Sequence, residues 1–275
     1  MSSYDAYEQN LQVRLKELQQ GDKAYETHTA AILETLPYEA AGAPLGQDHR
    51  ILDVGCGLGF LACKLAQFSD CKVVGIDPSQ MAIELATEEH AGQQNLSFFA
   101  NCAQDLPDLM KDNDIAPFER AILNMVLHSV DDEACSSILQ GVRDALVNPG
   151  ILTLIVPGRN WLIQKLIAKA QNDDMKKQEG IDWVAKELEK EAVTIEVGIQ
   201  GQRTYPAPLT VYNRTLKDYA ALLLKNGFGL NIGVCDPITF ETTETITSAF
   251  WEWNDHSNGY ELSTSDRHIL MTQTM

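Results

Sequence analysis

The stretch Ile51-Leu52-Asp53-Val54-Gly55-Cys56-Gly57-Leu58-Gly59 decides the fold. A short, mainly apolar run ends in three alternating glycines, and Leu61, Leu65 and Phe68 then recur at helical spacing. An apolar run of this kind, bounded by glycines, reads as a buried strand. Glycine accepts the positive φ of a sharp turn and lets backbone pass close beneath a ligand. The helix start beyond it offers N–H groups with no partner inside the helix. Moving outward, residues 72–76 form the next strand, ending at Asp77, and Met81 with Leu85 mark a helix after Pro78-Ser79. Residues 96–100 give a third strand. A fourth covers 120–124 and runs on through Met125-Val126-Leu127, and a fifth covers 151–156. Ile138, Leu139, Val142 and Leu146 stripe the helix between the last two, which stops before Pro149-Gly150. Strands alternating with helices specify an α/β class: a doubly wound parallel sheet with helices on both faces, three layers in all. The glycine turn then lies at the switch point of strand order, where ligands bind beyond the carboxyl ends of the strands.

The flanks follow other rhythms. Residues 1–49 read as an N-terminal helical lid, with Leu11, Leu15 and Leu18 in one stripe, Ile32, Leu33 and Leu36 in a second, and a loop from 38 to 48. The core unit spans 50–156. Residues 157–208 break the alternation and are too long for a plain connection, so an inserted cap is expected there. Within it, Trp161, Leu162 and Leu166 suggest one helix, Trp183, Val184 and Leu188 another, and 193–197 a strand. Residues 209–275 return to the core. Thr215-x-x-Asp218 has the form of a capping box ahead of the Leu216, Tyr219, Ala220, Leu223 and Leu224 face, and Gly227 closes that helix. Strands are expected at 229–235 and 268–274, with a helix through Ile246, Ala249, Phe250 and Trp253 between them.

Composition narrows the function. In 275 residues, 21 Lys and Arg face 39 Asp and Glu, a formal charge of −18. Such a field repels phosphate backbones and anionic headgroups, so neither nucleic acid nor a membrane surface is an expected partner. A hydrophobic fraction of 44% is ample for a core. The six cysteines contain no Cys-x-x-Cys, so reduced thiols in a cytoplasmic protein are expected rather than a zinc cage or disulfides. The opening residues lack a basic patch followed by an apolar run, so no signal peptide is read there, and no apolar stretch is long enough to span a membrane. Asp131-Asp132-Glu133 begins a helix, where acids favour the dipole, and no metal site is expected from them.

Asp53-x-Gly55-x-Gly57-x-Gly59, with Asp77 ending the second strand, resembles the first motifs of the class I S-adenosylmethionine-dependent methyltransferases. The resemblance covers 50–156 well and 209–275 more loosely. It implies a Rossmann-like sheet of seven strands with the last antiparallel, S-adenosylmethionine as cofactor and S-adenosylhomocysteine as product. It implies too that the turn Gly55, Cys56 and Gly57 lies against the methionine part and that Asp53 orders the loop and the amino group. Asp77 then takes both ribose hydroxyls, with Pro78 beside it, and Met81 lies against the adenine. Asn101-Cys102-Ala103-Gln104-Asp105-Leu106-Pro107 stands where the family often has Gly-Asp-Ala-x-x-Leu-Pro, so Cys102 replaces the adenine-binding aspartate. Ala103 keeps its N–H for the ring, and Gln104 or Asp105 is the substitute acceptor. Asn124, Met125 and His128 lie in a stretch similar to Asn-x-Val-Leu-His of small-molecule methyltransferases. Asn124 is then placed near the amino group and the transferring methyl.

His128 is the candidate catalytic base, because imidazole titrates near neutrality; a pocket-wall role without proton transfer is its alternative. Trp161, Tyr205, Tyr212, Tyr4 and Tyr7 are the candidate acceptor contacts, having apolar bodies and polar tips. Two rival functions stay open. Gly57-Leu-Gly59-Phe-Leu-Ala62, with Asp77 about 20 residues on, also satisfies a looser nicotinamide-dinucleotide fingerprint. The other rival is a cofactor-binding module without turnover. No Asn-Pro-Pro-Tyr follows the fourth strand, which removes the exocyclic base amines as acceptors.

Overall fold

A computed structural model describes residues 3–20, 29, 32–33, 48–68, 70–157, 159–171, 173–195, 198–199, 203–204, 208–229, 233–235 and 267–273. Its centre is β1 (Arg50–Val54), flanked in parallel by β2 (Lys72–Asp77) on one side and β4 (Phe118–Asn124) on the other. With β3 (Leu96–Ala100), β5 (Leu146–Pro157), β10 (Gly233–Cys235) and β11 (Arg267–Gln273), the sheet order is β10-β11-β5-β4-β1-β2-β3. β11 runs antiparallel to both of its neighbours, so it alone is reversed in a seven-stranded sheet, as the resemblance implied. Strand order turns back between β1 and β4, which puts the switch point at the carboxyl ends of those two strands.

Alternation along the strands builds two cores. Leu52 and Val54 face a cluster with Leu139 and Val142 of α5 (Asp132–Ala145) and Tyr219 and Leu223 of α9 (Leu216–Lys225). Ile51 faces the opposite layer, with Leu61 and Leu65 of α2 (Phe60–Phe68). Asp53 shares parity with Ile51 and so points to the α2 side. The capping box forms: Thr215 Oγ1 accepts from Asp218 N at 3.3 Å, and Thr215 N donates to Asp218 Oδ2 at 2.7 Å. Ahead of β1, α1 (Ser3–Gln19) lays Leu11 against Leu58 and Ala82.

Two expectations are corrected: β5 begins at Leu146, which the apolar stripe put in the preceding helix, and β4 is shorter than expected. β4 ends at Asn124 and does not run through Leu127, because Met125 adopts a φ of 59° and turns the chain out of the sheet. Beyond the core sheet, four further short strands form two antiparallel pairs. One pair joins β6 (Ala192–Ile195) to β9 (Leu209–Tyr212), a strand of the inserted segment with one just beyond it. Val193, Ile195 and Val211 of that pair bury against Leu162 and Leu166 of α6 (Arg159–Gln171) and Val184 of α8 (Ile181–Leu188), a cluster separate from the sheet cores. The other pair is β7 (Gly198–Ile199) with β8 (Arg203–Thr204); α7 (Asp174–Glu179) precedes α8. The helix expected around Ile246 to Trp253 lies outside the described residues.

Candidate active site

The glycine turn is tied to β2 by its own backbone. Gly55 N and Cys56 N both donate to Ile76 O, at 2.8 and 2.9 Å. Gly55, Gly57 and Gly59 have φ values of 70°, 53° and 73°. A Cβ at Gly55 would stand 2.5 Å from Val126 Cγ2, and one at Gly59 2.4 Å from Phe98 Cζ. Both conformation and space therefore demand glycine. Asp77, 4% exposed, accepts from Gly57 N at 3.0 Å with one oxygen and from Ser79 N at 2.9 Å with the other. It buckles the glycine turn to the start of α3 (Gln80–Glu89). A carboxylate offers about four lone-pair sites, so these two bonds leave the ribose role chemically open. Ser79 caps α3 through Ala82 N at 3.1 Å and donates to Glu8 Oε1 of α1 at 2.8 Å.

Among the described residues, two acceptor oxygens at the switch point have no donor. Asp53, 1% exposed, leaves Oδ2 unpartnered, and Asn124 at the end of β4 leaves its buried Oδ1 in the same state. Burial, with the Asp77 charge second, pushes the Asp53 carboxyl up from 3.8 to about 7, while a hydrogen bond with the Ala62 backbone pulls it back. Buried acceptors without donors are costly. An ammonium group has three donors and a positive charge, so the α-amino end of an amino-acid-like ligand fits this place. Past Asn124, Met125 N donates to Ile155 O at 2.9 Å, and the chain enters a tight turn over Leu127–Ser129 carrying His128, itself 7% exposed.

Residues 45–206, more than half of the chain, match the family model described as a methyltransferase domain. The chain belongs to that family. Its fold is shared with a crystal structure of an S-adenosylmethionine-dependent methyltransferase from Methanosarcina mazei (TM-score 0.54, 21% identity, 84% of this chain and 94% of that one). It is shared too with a DhpI–SAH complex (TM-score 0.54, 16% identity, 98% and 96%). A third is magnesium protoporphyrin IX methyltransferase from Synechocystis PCC 6803 with bound SAH (TM-score 0.51, 17% identity, 91% and 83%). An O-methyltransferase of Aspergillus nomiae is 48% identical over 64 residues, 22% of this chain. The match spans 28% of that curated relative's length.

After β3, Cys102 precedes a short turn over Ala103–Asp105, and α4 (Leu106–Asp112) follows. Burial raises the Cys102 thiol above its ordinary value, with Asp105 and Asp77 adding to it and a hydrogen bond with Gln104 opposing them. The thiol therefore stays protonated, and Gln104, exposed, is the stronger acceptor beside it. Cys56 is likewise held well above the usual thiol range by burial, then by Asp53 and Asp77. Pro78 is exposed, and Met81, at 43% exposure, stands at the open side of α3. Gly141 of α5 admits the Ala103 carbonyl so closely that a Cβ would lie 2.0 Å from it.

Among the acceptor candidates, Tyr4 and Tyr7 lie in α1 and Trp161 in α6, while Tyr205 falls outside the described residues. Tyr212 ends β9, and its ring lies 4.9 Å from Arg214 Cζ. Arg214 was not foreseen from sequence; as one arginine in an irregular connection, it belongs to no periodic pattern. Among the described residues, no group of His, Cys, Asp and Glu could hold a metal ion, and no helix is long and apolar enough to cross a membrane.

Proposed function

We propose that this chain transfers the methyl group of S-adenosylmethionine to a small-molecule acceptor, with the cofactor held by 50–156 and the acceptor covered by 157–208 and the N-terminal helix. The carrying observation is the pair of donorless buried oxygens, Asp53 Oδ2 and Asn124 Oδ1, at adjoining strand ends. Bound there, the cofactor supplies a sulfonium methyl for in-line displacement. Asp53 and Asn124 hold its amino group, the Gly55–Gly57 backbone lies against its methionine part, and Asp77 receives its ribose. Gln104 and the Ala103 N–H meet the adenine edge, and Met81 covers the ring.

Oxygen is the acceptor atom we favour, on the stretch similar to the A. nomiae O-methyltransferase. A phenolic hydroxyl, with a pKa of about 10, must lose its proton as it attacks. His128 is the group we assign to receive it. Its place on the turn beyond Asn124 supports this, and alignment supplies the rest of the rate. The free thiols of Cys56, Cys63, Cys71, Cys102 and Cys135 fit a cytoplasmic setting.

Calorimetry with S-adenosylhomocysteine and with NAD tests the cofactor, and an NAD isotherm without one for S-adenosylhomocysteine overturns the reading. A panel of small phenols incubated with methyl-labelled S-adenosylmethionine tests the reaction. His128→Ala is expected to lower turnover about 10²–10⁴-fold. Near-native turnover and a flat pH profile in His128→Gln would remove the base and leave methyl transfer standing.

A further inference from the structure

The turn that carries His128 is held from outside the core. Arg214 lies between β9, the strand just beyond the inserted segment, and Thr215, the cap of α9. Its Nη1 donates to Leu127 O and its Nη2 to Val130 O, each at 2.8 Å. Those two carbonyls bracket His128 and Ser129. The guanidinium also reaches Asp132 Oδ1, from Nε at 2.8 Å and Nη2 at 2.7 Å. Its side chain is 7% exposed, against 69% for Asp132, so the arginine is buried by the turn and not by the ion pair. The Cys135 thiol points to the same two carbonyls, at 3.5 and 3.8 Å, and the Tyr212 ring covers the guanidinium plane.

A planar fork with donors on separate nitrogens can span two carbonyls in fixed geometry; a lysine, with its donors on one atom, cannot. Ser129 supplies the turn's internal closure, its N and Oγ both meeting Val126 O, at 3.1 and 2.8 Å. Arg214 therefore adds an anchorage to the inserted segment. We propose that Arg214 is a positioning residue for methyl transfer: it sets the turn that presents His128 to the acceptor and registers that turn against the segment covering the acceptor. The proposal rests on the methyl-transfer reading for its purpose, but its geometry can be tested without an acceptor.

The test follows the ring resonances of the six histidines in isotope-labelled protein. The one that vanishes in His128→Gln is His128. In Arg214→Ala this resonance is expected to shift or broaden, to return when methylguanidinium is added, and to lie between the two in Arg214→Lys. S-adenosylhomocysteine affinity, read by calorimetry, is expected to stay within about twofold, since the hydrogen bonds of Arg214 go to Leu127, Val130 and Asp132 and to no residue assigned to the cofactor. A phenol methylated by the native protein should lose turnover about 10-fold or more in Arg214→Ala, more in kcat than in KM. A folded Arg214→Ala whose His128 resonance is unmoved overturns the proposal, whatever its melting temperature; if that variant does not fold, an unmoved resonance in Arg214→Lys does the same. Failure of S-adenosylhomocysteine to bind the native protein would instead sink the cofactor reading and leave the resonance experiment decisive for Arg214.

Discussion

Asp53 is an acid in a place that suits a neutral group until a cation arrives. Burial first, and the nearby Asp77 charge second, raise its carboxyl to about 7. Between 3.8 and that value the folded protein keeps a proton that the unfolded chain releases. Stability of the ligand-free protein should therefore fall as pH rises through this window, and lie flat below it. An ammonium beside Asp53 reverses the preference and favours the carboxylate. Binding of S-adenosylhomocysteine near pH 6 should then expel a proton, which calorimetry in buffers of different ionisation heat will read, and Asp53→Asn should abolish the release. A binding heat independent of buffer in the native protein would place the amino group elsewhere. Asp77 poses a different question, because its two oxygens already hold Gly57 N and Ser79 N. Asp77→Ala should weaken S-adenosylhomocysteine by about 1.5–3 kcal/mol for each charged hydrogen bond lost. An unchanged dissociation constant would leave Asp77 as a loop buckle alone.

The elements were legible where side-chain pattern alone determines them. β1, β2 and β3 follow from short apolar runs, and α9 from a box that depends on two residues three apart; the start of β5 at Leu146 did not, because an apolar residue there fits the helix stripe equally well. The end of β4 was hidden, because Met125 in a left-handed conformation breaks no composition rule; it is held by Ile155 O across the sheet, a contact between residues far apart in sequence. The β6–β9 pairing was hidden for the same reason, and so was Arg214, whose partners precede it by more than eighty residues. Within the site, Asp53, Asp77 and the glycines announced themselves by spacing, whereas Gly141 is one small residue inside a helix. Its importance lies in the Ala103 carbonyl 2.0 Å from where a Cβ would stand. Gly141→Ala should push α5 off the Ala103 turn, lowering stability by about 1–3 kcal/mol and weakening S-adenosylhomocysteine with it. Gly92, with nothing within 4 Å, is the control, and Gly92→Ala should leave cofactor affinity unaltered. Equal denaturant midpoints for the two variants would show that α5 yields freely.

At the scale of the whole molecule, a net charge of −18 acts on donor and product differently. S-adenosylmethionine carries a sulfonium, an ammonium and a carboxylate and is a net cation; S-adenosylhomocysteine has lost the sulfonium charge and is neutral overall. A negative field should raise the association rate of the first and leave the second nearly untouched. The methyl transfer then removes the charge that the field attracts, which helps the product leave. Salt separates this long-range effect from the contacts of Asp53 and Asp77, because the Debye length falls from about 30 Å at 0.01 M to about 10 Å at 0.1 M ionic strength while buried pairs are screened far less. Raising salt across that range should lower the affinity for S-adenosylmethionine and slow its association, with S-adenosylhomocysteine changing little. The measurement is stopped-flow and calorimetric titration of both ligands in parallel. If both weaken by the same factor, the acidic surface does not discriminate between donor and product, and its charge serves solubility instead.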